Sequence, residues 1–260
     1  MILVTTVQFA FYAYLRDNPS MNKFVNFREI CGLIGGVGPS ATNYLFGLII
    51  NMNNVRKDQD HIPLLIFNNP QIPDRTQHLV YAKKSPLPEL ILTAKVLKKA
   101  GATFLAIPCN AAHPYILDIE REVGIKVLNM VPLVAEHIFN LYGRNIKIGI
   151  LATDGTIKSN IYLNEIGAGK VLIPDSRGQK NVMEAIYGKR GIKASFLDTN
   201  NFEILYSEAK RLIDRGADVV IEGCTEIPLV LSQGKCNFPV IDPMEILAKK
   251  IIEITINSKI

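Results

Sequence analysis

The stretch Phe104-Leu-Ala-Ile-Pro-Cys109-Asn-Ala-Ala-His113 is a short apolar run that stops at a cysteine and a set of small or polar residues. Such a run reads as a parallel strand, buried on both faces, that delivers Cys109 to the loop at its carboxyl end. It has an echo in Val219-Val-Ile-Glu-Gly-Cys224-Thr-Glu-Ile-Pro228, which has the same layout and delivers Cys224. Each cysteine lies eight residues after a glycine, Gly101 or Gly216, that ends a helical pattern.

Working outward, the repeat extends well beyond the cysteines. Gly149-Ile-Leu-Ala-Thr-Asp-Gly155-Thr matches Gly32-Leu-Ile-Gly-Gly-Val-Gly38-Pro, and Val240-Ile-Asp-Pro matches Val127-Leu-Asn-Met. With the match of Ala209 to Ala94 before the two cysteines, the offsets are 117, 115 and 113 residues. Near-constant offsets over three separate segments are the mark of an internal duplication.

Each copy alternates strands with helices. In the first, a strand at Ile30 enters a glycine loop and a helix over Ala41 to Met52, and a second strand, Ile62 to Asn68, runs into the turn-rich Asn69-Pro-Gln-Ile-Pro-Asp-Arg75. A helix around Glu89 to Ala100 ends at Gly101, and after the Cys109 strand come a helix near Pro114 to Val123 and a strand at Lys126 to Val131. A strand at Phe238 to Asp242 and a helix at Met244 to Ile256 close the chain. Short loops between alternating elements mean parallel sheets covered on both faces. The expected fold class is α/β, with two similar doubly wound parallel-sheet domains and the active site in the cleft between them. The boundaries read as an N-terminal extension at 1–29, a first domain at 30–126 plus 243–260, and a second domain at 127–242.

Composition excludes several classes. With 48% hydrophobic and 20% charged residues in 260, the chain is neither disordered nor collagen-like. Its formal charge of +5 comes from scattered Lys and Arg with no interleaved aromatics, so nucleic acid is not an expected partner. The apolar residues 2–15 are too short a run to span a bilayer, and neither a preceding basic residue nor a following cleavage site marks them as a signal peptide. Cys31, Cys109, Cys224 and Cys236 include no Cys-x-x-Cys pair and are too sparse for a disulfide framework, which favours free thiols in a reducing cytoplasm. Cys109 and His113, four residues apart, find no second clustered pair of ligands to complete a metal site.

In open parallel sheets, ligands sit beyond the carboxyl ends of the strands, where both cysteines fall. Duplication then sets two equivalent thiols at two equivalent mouths. Halves facing each other about a pseudo-twofold axis would aim both thiols into one cleft, which suits taking a proton from one face of a carbon and returning it to the other. A buried cysteine at a strand end is ordinary, and Cys31 reads that way, but the matched pair favours chemistry. Asn110 and Thr225 follow the cysteines where a helix would begin, and N–H groups there suit a carboxylate. The loop Gly36-Val-Gly38-Pro-Ser-Ala41 fits G-x-G-x-x-A, yet the second strand ends at Asn68-Asn69 without an acidic residue for a ribose, and the duplicated loop lacks the fingerprint. The same loop can act as a nest for a carboxylate.

Over residues 30–256 the chain resembles the cofactor-independent aspartate/glutamate racemase superfamily. The resemblance rests on Gly32-Leu-Ile-Gly-Gly-Val-Gly-Pro, Phe67-Asn-Asn-Pro-Gln-Ile-Pro-Asp-Arg75, Pro108-Cys-Asn-Ala-Ala-His113 and Gly223-Cys-Thr-Glu226. Glu226 after Cys-Thr resembles the aspartate racemase branch, where glutamate racemases usually have His. The resemblance implies L- to D-aspartate interconversion with Cys109 and Cys224 as paired proton donor and acceptor, without pyridoxal phosphate or metal. It also implies that Arg75 binds the substrate's side-chain carboxylate, that Lys193 assists, and that Asn110, Ala111, Thr225 and Glu226 contact substrate. A homodimer follows from the resemblance alone. Two departures stand out. Ala111 replaces a threonine common in the family, and Glu222 adds a carboxylate before Cys224 that, if close, would raise that thiol's pKa. The alternatives are racemisation of glutamate or of a broader range of amino acids, decarboxylation, and maleate isomerisation with a cysteine nucleophile. A non-enzymatic protein that binds an acidic amino acid is a different class.

Overall fold

The computed structural model describes residues 26–231 and 233–260. The apolar run at 2–15, and with it most of the N-terminal extension, lies outside the described residues. The first half runs β1 (Cys31–Gly35), α1 (Pro39–Met52), β2 (Leu64–Asn68), α2 (Arg75–Tyr81), α3 (Leu87–Lys99), β3 (Phe104–Ala106), α4 (Ile116–Val123) and β4 (Lys126–Val127). Helix α5 (Met130–Tyr142) leads into β5 (Ile148–Leu151), α6 (Asp154–Lys158), α7 (Ile161–Ile166), β6 (Val171–Leu172), α8 (Ser176–Tyr187), α9 (Thr199–Asp214), β7 (Val219–Glu222) and β8 (Val240–Ile241). Helix α10 (Pro243–Ile256) closes the chain.

The two sheets are parallel throughout and share one strand order: β2-β1-β3-β4 and β6-β5-β7-β8. Cys31 pairs with Leu64 and Phe104, as Ile148 pairs with Val171 and Val219. The duplication visible in the sequence is therefore a duplication of topology, and β3 and β7 occupy equivalent places.

The strands alternate their side chains between two apolar layers. Cys31, Leu33, Phe104 and Ala106 of the first sheet, and Ile148, Ile150, Val219 and Ile221 of the second, enter one shared core with α1, α5 and α10. The opposite faces are covered separately, by α3 and α4 on the first sheet and by α8 and α9 on the second. Leu45 and Ile49 of α1, Val134 and Ile138 of α5, and Leu247 and Ile251 of α10 are buried there at helical spacing. Each such side chain contributes about 1.5–3 kcal/mol by burial. The shared layer is thus what fixes the two strand mouths relative to each other.

The expected strand over Lys126 to Val131 stops at Val127, because the Asn129 side chain accepts the Val131 N–H at 3.1 Å and starts α5. Asp242 does the same at the matched place, accepting the Met244 N–H at 2.8 Å and starting α10. At the other end, Arg28 N–H donates to Ser258 O and Ile260 N–H to Asn26 O. The segment leading into β1 is thereby tied to the residues after α10.

Candidate active site

The loop after β1 is shaped by Gly36, which has φ +83 and packs so closely on the Asn69 backbone that a Cβ would overlap it. That loop meets Arg75, the first residue of α2. The buried guanidinium donates to the carbonyls of Val37 (2.7 Å), Pro73 (3.2 Å) and Ile72 (3.4 Å), while its Nε has no hydrogen-bond partner. Asp74 caps α2 by accepting the Gln77 N–H and also receives the Tyr187 hydroxyl from the second half, at 2.8 Å each.

Cys109 stands three residues beyond Ala106, the last β3 pairing, and is 7% exposed. Its carbonyl accepts the Ala112 N–H and the ring Nδ1 of His113, the latter at 2.8 Å. His113 Nε2 in turn accepts the first N–H of α5, from Met130, at 3.1 Å. The tautomer is therefore Nδ1–H, and burial, which pushes this imidazole down to about 4, keeps it neutral. With both ring nitrogens engaged, His113 fixes the Cys109 loop to α5 and has none left for a metal. The turn after Cys109 is a 3-10 helix, Asn110–Tyr115, and not yet the α-helix expected from Pro114. Asn110 accepts the Tyr162 hydroxyl at 2.6 Å on Oδ1 and leaves its buried Nδ2 without a partner.

Cys224 follows β7 and Gly223 and is 6% exposed. Its Sγ donates to Glu226 Oε2 at 3.1 Å, and Glu226 Oε1 meets Lys193 Nζ at 2.5 Å. Lys193 rises from the 3-10 turn Ile192–Ala194, with its ammonium 5.3 Å from the Tyr187 ring centroid. Thr225 reaches the other half, its Oγ1 donating to Pro108 O at 3.1 Å. A regular turn begins only at Ile227, two residues later than expected, with Glu226 at its N-cap.

One cavity collects these groups. Cys109, Asn110 and Ala111 line it from one side, Cys224, Thr225 and Glu226 from the other, with Arg75 and Lys193 also on its wall. Its volume is about 10 Å³, the room of roughly one water. A second, wider cavity of about 340 Å³ opens beside it, along Gly36, Gly38, Pro39 and Ser40. Arg75, Lys193 and Glu226 line both and form the wall between them. Thr76, Thr153, Thr156 and Tyr187 complete the inner cavity and were not foreseen from sequence. The signal for two of them was the repeat itself, since Thr153 and Thr156 flank Gly155, the glycine matched to Gly38.

The sequence profile of the Asp/Glu/Hydantoin racemases matches residues 34–251. This chain belongs to that family. Among its relatives is the broad specificity amino-acid racemase RacX of Bacillus subtilis, 28% identical over 228 residues that span 85% of this chain and 96% of RacX. The structure of the Picrophilus torridus aspartate racemase superposes with a TM-score of 0.75 at 28% identity, covering 86% of this chain and 93% of that one. An aspartate racemase homologue from Pyrococcus horikoshii gives 0.67 at 26% identity, covering 87% and 98%.

Within this racemase-family site the two sulfurs have unlike surroundings. Burial, and then the Glu226 carboxylate, push the Cys224 thiol well up, against a smaller opposing effect of Lys193. Cys109 instead lies against Arg75, whose guanidinium is held charged, despite its burial, by Cys109 and Asp74. The carboxylate that bears on Cys224 is thus Glu226. Glu222 is pushed up by burial, Asp242 and Glu245, and itself bears on Tyr44 and the Cys236 thiol, so the influence expected of it on Cys224 belongs to Glu226 instead.

Proposed function

We propose that this chain is an amino-acid racemase that interconverts L- and D-aspartate by two-base proton transfer between Cys109 and Cys224. The observation that carries this reading is that both sulfurs line one cavity together with two buried, unpartnered donors, Arg75 Nε and Asn110 Nδ2. Buried donors left unpaired in a protein call for an acceptor, and carboxylates are the natural one. An amino acid with two carboxylates offers one for each donor, with its Cα between the sulfurs.

In one direction Cys224 holds its proton and Cys109, beside Arg75, serves as the base. The Cys109 thiolate takes the Cα proton, and Cys224 returns its own to the opposite face. The C–H bond broken on one side is replaced by one on the other, leaving Cys109 as thiol and Cys224 as thiolate, ready for the opposite enantiomer. Lys193 and Arg75 offset the negative charge of the substrate's side-chain carboxylate.

The test is loss of the Cα proton to deuterated solvent, followed by NMR on separate samples of L- and D-aspartate. Exchange with racemisation is expected. An absence of exchange with both enantiomers overturns the reading. A second reading, a broader range of amino acids, is favoured by one contact: Lys193 is already neutralised by Glu226. Running glutamate and alanine in the same assay separates the two.

A further inference from the structure

The ion pair on the wall between the cavities is the least expected feature of the site. Glu226 is 2% exposed, and its carboxylate spans two groups, Lys193 at 2.5 Å and the Cys224 thiol at 3.1 Å. The chain makes room for it deliberately. Gly38 has φ −139 and ψ 133, a backbone any residue adopts, yet a Cβ there would overlap Glu226 Oε1. A side chain there would push the carboxylate off this position, so the glycine serves the ion pair and not the turn. With the pair in place the inner cavity has the room of about one water, far less than an amino acid needs.

We propose that Glu226 is an internal stand-in for the substrate's side-chain carboxylate: it occupies Lys193 in the closed site, gives Lys193 up when a dicarboxylic substrate enters from the wider cavity, and thereby sets the preference for acidic over neutral amino acids. This rests on the acidic-substrate reading above. The exchange is isoelectric at Lys193, since one carboxylate leaves the ammonium as another arrives. A neutral substrate would break the pair with nothing to replace it, leaving a buried charge uncompensated. The released carboxylate has a place to go. The wider cavity is lined by Gly38, Pro39 and Ser40 at the N-terminus of α1, a helix of 14 residues with no acidic residue in its first turn and no side-chain cap. The unsatisfied N–H groups and dipole there favour an anion.

Closure by Glu226 lowers the apparent affinity for a dicarboxylate by the fraction of time the pair is open. Removing the carboxylate removes that penalty. The experiment measures binding of succinate, which carries two carboxylates but cannot racemise, by calorimetry to the wild-type protein, Glu226→Gln, Lys193→Met and the double variant. Glu226→Gln is expected to bind succinate about tenfold more tightly. In the Lys193→Met background the same change should have no effect, because the competition runs through Lys193.

Equal or weaker succinate binding by Glu226→Gln overturns the proposal, as does the same gain in both backgrounds. Should the Gln variant not fold, Glu226→Asp keeps the charge and shortens its reach, so tighter succinate binding is again expected and unchanged binding again overturns it. If the wild-type protein racemises aspartate but the variants show no change in succinate affinity, the stand-in role alone falls. If neither succinate nor aspartate binds any form, the acidic-substrate reading falls and takes this proposal with it.

Discussion

Thr225 Oγ1 donates to Pro108 O across 3.1 Å, tying the residue after one cysteine to the residue before the other. The two strand mouths are thus joined directly beside the two cysteines as well as through the shared core behind them. Thr225→Val keeps the shape and removes the donor, leaving a buried carbonyl unpaired. The expected loss is about 1–3 kcal/mol of unfolding free energy in urea. Because the bond sets the separation of the thiols, kcat should fall more than KM rises, and Thr225→Ser should restore both. A Val variant with lowered stability and unchanged kcat would make the bond purely structural.

The duplication, the parallel sheets and the meeting of Cys109 with Cys224 were legible because each rests on spacing, and a repeat carries spacing across the whole chain. The sequence places a helix start at Met244 but its match at Met130 is hidden, and the strand at Lys126 reads four residues too long, because a mostly apolar run from Val127 to Val131 does not show that Asn129 caps a helix. What stayed hidden depends on contacts between side chains far apart in the sequence. Thr76 meets Thr153 at 3.2 Å, and Glu226 meets Lys193 33 positions away. No periodicity encodes such pairs. Glu222 was singled out for Cys224 on proximity in the chain, but the thiol donates its hydrogen bond to Glu226.

Single replacement of each cysteine distinguishes a two-base scheme from a shared general base. Cys109→Ser and Cys224→Ser should each abolish racemisation. Each should still exchange the Cα proton of one enantiomer with solvent, the two variants choosing opposite enantiomers, since the remaining thiol faces one side of the carbon. Proton exchange followed by NMR on enantiopure aspartate reads this directly. Full racemisation in either variant would falsify the scheme.

The pH dependence should be unequal for the two enantiomers. The enantiomer deprotonated by Cys224 needs a thiolate that burial and Glu226 disfavour, so its kcat/KM rises with pH over a higher range. Glu226→Gln removes a negative neighbour, which lowers that thiol's pKa and moves the rising limb to lower pH. Profiles measured for both enantiomers should show the shift for one of them only. A limb that stays in place, or one that moves to higher pH, would mean that Glu226 does not act on the thiol.

Away from the sulfurs, a carboxylate at the start of α10 gives a pH effect on stability of opposite sense to the usual acid. Asp242 is pushed up to about 7, chiefly by burial and with Glu245 in support, against hydrogen bonds from Met244 N–H and the Tyr44 hydroxyl. Below the ordinary carboxylate range both folded and unfolded chains hold the proton. Between that range and about pH 7 only the folded chain holds it, so stability falls as pH rises, by roughly 1.4 kcal/mol per unit at most. Buried Glu222 is also pushed up and adds a fall of the same sign. Asp242→Asn remains neutral and can still cap α10 through its Oδ1. Denaturation at pH 5 and pH 8 should find the variant more stable than the wild-type protein at pH 8, by at least about 1 kcal/mol, with the gain shrinking toward pH 5. An equal difference at both pH values would show that Asp242 does not change its proton occupancy on folding, and that the helix cap alone accounts for the residue.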